Sequence, residues 1–157
     1  MGKIKAGGMI QNIELAQVGV MAVPDRPGVA GAILNTLAQA DVNVQFIAQL
    51  LDLDDTAHVV FCVAQDDLAI ALALLSDVKD EIGAQQVIHK GDVAIVSIFG
   101  PDFRERPGVA GAMFNALASA DVNILSISTS ISTVSCVVDL DEVDAAMEAL
   151  REAFDLP

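Results

Sequence analysis

Basic side chains are scarce in this chain of 157 residues, where 8 Lys and Arg stand against 22 Asp and Glu for a net charge of −14. A field of that sign repels phosphate backbones and anionic lipid surfaces alike, which excludes nucleic acid and membrane as expected partners. Long apolar runs are missing too. No stretch approaches the roughly 18–20 consecutive apolar residues that span a bilayer, and the opening Met1-Gly2-Lys3-Ile4-Lys5-Ala6 has lysines but no apolar region behind them. A cytoplasmic location is therefore expected. Cysteine and histidine occur only twice each. Cys62 and Cys136 lie within apolar, β-branched runs, where a buried reduced thiol is the default, and neither His58 nor His89 has a Cys, His or carboxylate at metal-ligand spacing. No disulfide, metal or cofactor is expected. There is no Gly-x-x-x-x-Gly-Lys-Ser/Thr phosphate loop, and the serines at 126–135 have no nearby base, so the chain is not expected to be an enzyme by itself.

What is abundant is apolar material. With 54% hydrophobic and 19% charged residues the chain can bury a core, which excludes a disordered acidic segment and leaves small molecules and proteins as partners. Sliding the sequence along itself by 80 positions exposes a repeat. Residues 26–44, beginning Arg26-Pro27-Gly28-Val29-Ala30-Gly31-Ala32, return as 106–124, beginning Arg106-Pro107-Gly108-Val109-Ala110-Gly111-Ala112, with 14 of 19 positions identical. The chain is a tandem pair of one small unit.

Each copy has the same order of elements. Short β-rich runs at 17–23 and 93–99 lead through a turn into helices, predicted over 27–40 and from 107, with Pro27 and Pro107 at the first helical position. Val29, Ile33, Leu34 and Leu37 fall at helical spacing, and Val109, Met113, Phe114 and Leu117 repeat the stripe. Asp41 and Asp121 mark tight breaks. Second strands are predicted at 43–51 and 123–130, third strands at 57–64 and 133–138, and second helices at 66–82 and 141–154. The first copy ends in a fourth strand at 84–89, which completes a split βαββαβ unit. The second copy stops after its second helix, and the only unassigned segment is 9–16, which the pattern places as the missing strand. The expected domains are thus 17–90 and 9–16 plus 91–157. Because Cys62 and Cys136 are 74 apart rather than 80, the first copy is expected to carry six extra residues between its second and third strands, around Leu51-Asp52-Leu53-Asp54-Asp55-Thr56.

Val23-Pro24-Asp25-Arg26-Pro27-Gly28-Val29-Ala30, followed by Ala40-Asp41-Val42-Asn43-Val44, resembles the opening of the first ACT domain of aspartokinases. Arg106-Pro107-Gly108-Val109-Ala110, Val122-Asn123-Ile124, Ile127-Ser128-Thr129-Ser130 and Ser135-Cys136-Val137-Val138-Asp139 resemble the second. The resemblance implies an α+β fold of two ferredoxin-like ACT units in tandem, with antiparallel four-stranded sheets, helices on one face, and the N-terminal strand completing the second unit. It also implies a regulatory region or small regulatory subunit of aspartate kinase, sensing threonine or lysine for feedback inhibition of aspartate-family amino acid biosynthesis. The partners implied are a homodimer through the ACT sheets and the aspartate kinase catalytic subunit or domain. The alternative is an ACT-type dimerisation or docking module with a degenerate ligand site.

An amino acid presents a carboxylate and an ammonium. The free amides of Gly28, Val29 and Ala30 at the start of the first helix suit the carboxylate, with the helix dipole behind them. Asp25 either pairs with the ammonium or caps the helix. Asn43 and Gln49, both predicted on the second strand, either orient the ligand or, for Asn43, satisfy turn backbone groups. Gln49 in an apolar strand is expected to need a partner. By the resemblance, Asn123 and Ile124 of a second unit close the site. Lysine would require another carboxylate, for which Asp52, Asp54 and Asp55 are the candidates.

Overall fold

A computed structural model describes residues 2–157. The strands are β1 (Ile4–Lys5), β2 (Gly8–Pro24), β3 (Phe46–Leu51), β4 (Thr56–Ala64), β5 (Gln86–Phe99), β6 (Ser126–Thr129), β7 (Thr133–Asp139) and β8 (Phe154–Asp155). The α-helices are α1 (Val29–Ala38), α2 (Leu68–Ile82), α3 (Val109–Ser119) and α4 (Val143–Ala153). The chain forms two compact units, Glu14–Asp92 and Met1–Ile13 with Val93–Pro157. The long strands β2 and β5 each contribute one part to each unit.

In the unit Glu14–Asp92 the strand order is β3-β4-β2-β5, with β4 antiparallel to both β2 and β3. Val29, Ile33 and Leu37 of α1 and Ala71, Leu75 and Ile82 of α2 share one core with Val18, Val20, Val59, Phe61 and Val63 of the sheet, so both helices cover the same face. Full burial of one such leucine stabilises by about 1.5–3 kcal/mol. The expected strand 9–16 is divided, because Leu15 and Ala16 pair with Ala64 and Val63 of β4.

The unit formed by Met1–Ile13 and Val93–Pro157 repeats the plan. β7 lies antiparallel between β5 and β6, and Gly7 N–H donates to the Phe99 carbonyl at 2.7 Å on the other side of β5. Val109, Met113 and Leu117 of α3 and Val143, Ala146, Met147 and Leu150 of α4 pack on Ala94, Val96, Ile98, Cys136 and Val138. A two-residue parallel ribbon, β1 with β8, was not foreseen in the sequence.

Both first helices end alike. Val42 N–H donates to the Leu37 carbonyl and Asp41 N–H to that of Ala38, each at 3.0 Å, which is a Schellman motif with Asp41 left-handed at φ 58°. Val122, Leu117, Asp121 and Ala118 repeat those bonds, with Asp121 also at φ 58°. The helix starts differ from expectation. Pro27 and Pro107 are not the first helical residues, because Gly28 (φ 94°, ψ −12°) and Gly108 (φ 89°, ψ −1°) adopt the third-position geometry of a type II turn and delay the helices to Val29 and Val109.

The acidic insertion is also corrected. Ile47 lies opposite Phe61 and Ile127 opposite Cys136, so Phe61 rather than Cys62 is the counterpart of Cys136. Spans of 14 and 9 positions between those pairs make the first hairpin five residues longer, not six. Cys62, one residue on, lies on the sheet face opposite to Phe61.

Candidate functional site

At the start of α1 the chain leaves β2, turns through Pro27-Gly28 and enters the helix without a side-chain cap. The helical ladder opens with Ala32 N–H to the Gly28 carbonyl at 2.9 Å, so the amides of the first turn have no helical acceptor. They border a recess of about 110 Å³ lined by Val23, Pro24, Asp25, Arg26, Gly28, Val29, Ala30, Gly31, Gln49, Ala57 and Val59. One water's share of liquid volume is roughly 30 Å³, so the recess suits a solute of several heavy atoms. All of it belongs to the unit Glu14–Asp92.

Of the residues singled out in the sequence, the structure brings together Asp25, Gly28, Val29, Ala30 and Gln49. Asp25 is exposed and caps no helix amide, while its own N–H donates to the Asp55 carbonyl at 3.2 Å. The capping alternative is therefore excluded. Gln49 is exposed on the edge strand β3 rather than buried, so burial does not demand a protein partner for its amide. It does face the recess. Asn43 is not brought to the recess. β3 begins only at Phe46, and Asn43 follows the C-terminal end of α1, whose ten residues extend about 15 Å from the recess. Asn123 and Ile124 hold the equivalent place after α3 in the other unit. There Asn123 N–H donates to Glu142 Oε2 at 3.1 Å, and Ile124 packs on that unit's core.

The sequence reading missed the polar network beside the recess. Asp52 accepts the N–H of Asp54 at 2.8 Å and of Thr56 at 3.2 Å on Oδ1, and the Thr56 hydroxyl donates to Oδ2. His58 Nε2 lies 2.8 Å from the same Oδ2, and its Nδ1 accepts the Ala22 N–H at 3.1 Å. The Thr56 hydroxyl, followed by the Asp54 amide, holds the Asp52 carboxyl well below the usual carboxylate range. Asp52-x-x-x-Thr56-x-His58 was a visible signal, but it identifies a network only once hairpin register is known. Both thiols are buried, and burial pushes Cys62 and Cys136 up to about 12. Among the described residues, no group of His, Cys, Asp and Glu is arranged to hold a metal ion, and no helix is long and apolar enough to cross a membrane.

A strand, a glycine turn and an uncapped helix, repeated in two split βαββαβ units, define a pair of ACT domains, and residues 16–83 and 96–154 each match the ACT domain family. The chain is 39% identical over 149 residues to the aspartate kinase Ask_LysC of Stutzerimonas stutzeri, covering 95% of this chain and 36% of that protein. It thus spans about a third of the length of that relative. Among solved structures, the ligand-free regulatory subunit of aspartate kinase from Thermus thermophilus superposes with a TM-score of 0.86 at 33% identity, covering 96% of this chain and 99% of that one. The structure of aspartokinase alpha and beta subunits matches with a TM-score of 0.86 at 34% identity, covering 94% and 97%. The chain belongs to the regulatory ACT-domain family of the aspartokinases, and the residues it comprises are regulatory rather than catalytic.

Proposed function

We propose that this chain senses L-threonine and relays its concentration to an aspartate kinase catalytic subunit or domain, as feedback inhibition of aspartate-family amino acid biosynthesis. The observation that carries the reading is the recess at the start of α1, where uncapped amides, Asp25 and Gln49 converge. The amides and the positive end of the helix accept the carboxylate, Asp25 pairs with the ammonium, and Gln49 orients the ligand. Asn123 and Ile124 of a second ACT unit, supplied in a homodimer through the ACT sheets, close the site.

The choice of threonine over lysine rests on the carboxylates. A lysine side chain needs a second anion for its ammonium. Asp52, Asp54 and Asp55 do not line the recess, and the Asp52 carboxylate already accepts bonds from Asp54, Thr56 and His58. The regulator is proposed to act in the cytoplasm, where its reduced thiols are stable.

Isothermal titration tests the proposal. Saturable heat with L-threonine, absent from Gln49→Ala and from L-lysine, is the expected result. Saturable binding of lysine alone would reassign the ligand, and no binding of either would leave an ACT pair that serves in dimerisation and docking.

A further inference from the structure

We propose that His58 is a positioning residue of the recess, holding its rim through a neutral imidazole, so that effector affinity carries the titration of one histidine. The inference rests on the effector reading above for its affinity arm and on geometry alone for the rest.

The rim is built on an irregularity. β2 and β4 pair in register up to Val20↔Val59, then slip before Val23↔Ala57. Ala22, inside the slip, is left-handed at φ 53°, a conformation that alanine adopts only under strain. The bulge takes the Ala22 N–H out of the ladder. His58 Nδ1 accepts it at 3.1 Å, and the residues that follow the bulge, Val23, Pro24 and Asp25, line the recess. The flanking residues of His58 itself, Ala57 and Val59, line it from β4. One imidazole thus holds two strands that shape one site.

The acceptor role fixes the proton. With Nδ1 receiving the Ala22 N–H, the ring hydrogen sits on Nε2 and points to Asp52 Oδ2, 2.8 Å away. A second proton would have to go on Nδ1, where it would meet the Ala22 N–H donor to donor. That removes the bond holding the bulge, while the pair with Asp52 survives. Asp52, with Asp54 and Asp55 in the same turn, supplies the negative charge on this side. From β3 the residue in register with His58 is Leu50, and from β2 the contact is Ala22, neither charged. Just before β5, which lies beyond β2, Gln85 N–H donates to the Met21 carbonyl, and the titratable His89 and Lys90 of β5 lie four and five positions further on. Protonation therefore acts on the bulge through His58.

Amide NMR on the full chain between pH 8 and 5, the interval in which histidine side chains change charge, tests this without ligand. The Ala22, Val23 and Asp25 amides are expected to shift with the same midpoint as the His58 ring, and to stay fixed in His58→Asn, whose amide oxygen replaces the Nδ1 acceptor. Rim amides that ignore the ring's titration overturn the proposal. In the affinity arm, L-threonine is expected to bind about fivefold or more weakly at pH 5.5 than at pH 8 to the natural chain and to His89→Asn, with the change in His58→Asn within about twofold. Parallel pH profiles in all three proteins overturn it as well. Failure of threonine to bind at any pH defeats the effector reading alone, and the ligand-free spectra still decide the role of His58. Should His58→Asn not fold, His58→Gln and the natural chain's spectra provide the same comparison.

Discussion

Gly28 and Gly108, eighty positions apart, hold the same left-handed conformation, φ 94° and 89°, each before a helix that no side chain caps. An added Cβ at either position meets no atom within 4 Å, so a substitution there strains the backbone and nothing else. Gly28→Ala and Gly108→Ala are each expected to destabilise their unit by about 1–2 kcal/mol. Urea unfolding checks this, and an unchanged midpoint would contradict the turn geometry.

Asp25 and Gln49 are exposed, so Asp25→Ala and Gln49→Ala should leave stability within about 0.5 kcal/mol of the natural chain. Their effect is expected on the ligand. Loss of a charge-assisted bond of about 1.5–3 kcal/mol predicts at least a tenfold fall in threonine affinity for Asp25→Ala. Asn43→Ala, outside the recess, serves as the control with unchanged affinity.

Both thiols are fully buried and pushed up to about 12. The thiolate is the reactive form, so neither should react with iodoacetamide at pH 8 in the folded chain, and both should react once it is unfolded. Mass spectrometry after labelling distinguishes the two. Rapid modification of folded Cys62 would contradict its place in the sheet.

The Asp52 carboxyl is held below the ordinary range, chiefly by the Thr56 hydroxyl and then by the Asp54 amide, with His58 the weakest contributor. For a depressed carboxylate the stabilisation is fully present above the ordinary aspartate value of about 3.9 and is lost progressively as pH falls from there through the lowered one. In the folded chain the Asp52 carboxyl, held low by these donors, is therefore expected to stay ionised at pH 3 and to keep its bonds in the turn between β3 and β4. Carboxyl carbon NMR should show Thr56→Val raising the Asp52 midpoint more than His58→Asn does.

Much of the fold was legible because it was written twice. The stripe Val29, Ile33, Leu37 and its copy Val109, Met113, Leu117 fixed the helices and their buried faces, and Asp41 and Asp121 marked the breaks that became Schellman motifs. What escaped depended on geometry between strands. Two cysteines that look equivalent are not, since register pairs Ile127 with Cys136 but Ile47 with Phe61. A glutamine in an apolar run reads as buried until the sheet order makes β3 an edge. The bulge at Ala22 has no local marker, because alanine does not favour positive φ, and so the partnership of Ala22 with His58 was invisible. In the recess, the backbone amides and Asp25 followed from the turn motif, whereas Ala57 and Val59 entered only through strand pairing.

The most direct test of the central claim is thermal unfolding of the chain with millimolar L-threonine, D-threonine and L-lysine, since a ligand that binds only the folded state raises stability by RT ln(1 + [L]/Kd). A rise in Tm with L-threonine alone, lost in Gln49→Ala, is the predicted result. An unchanged Tm with L-threonine at saturating concentration would contradict the account.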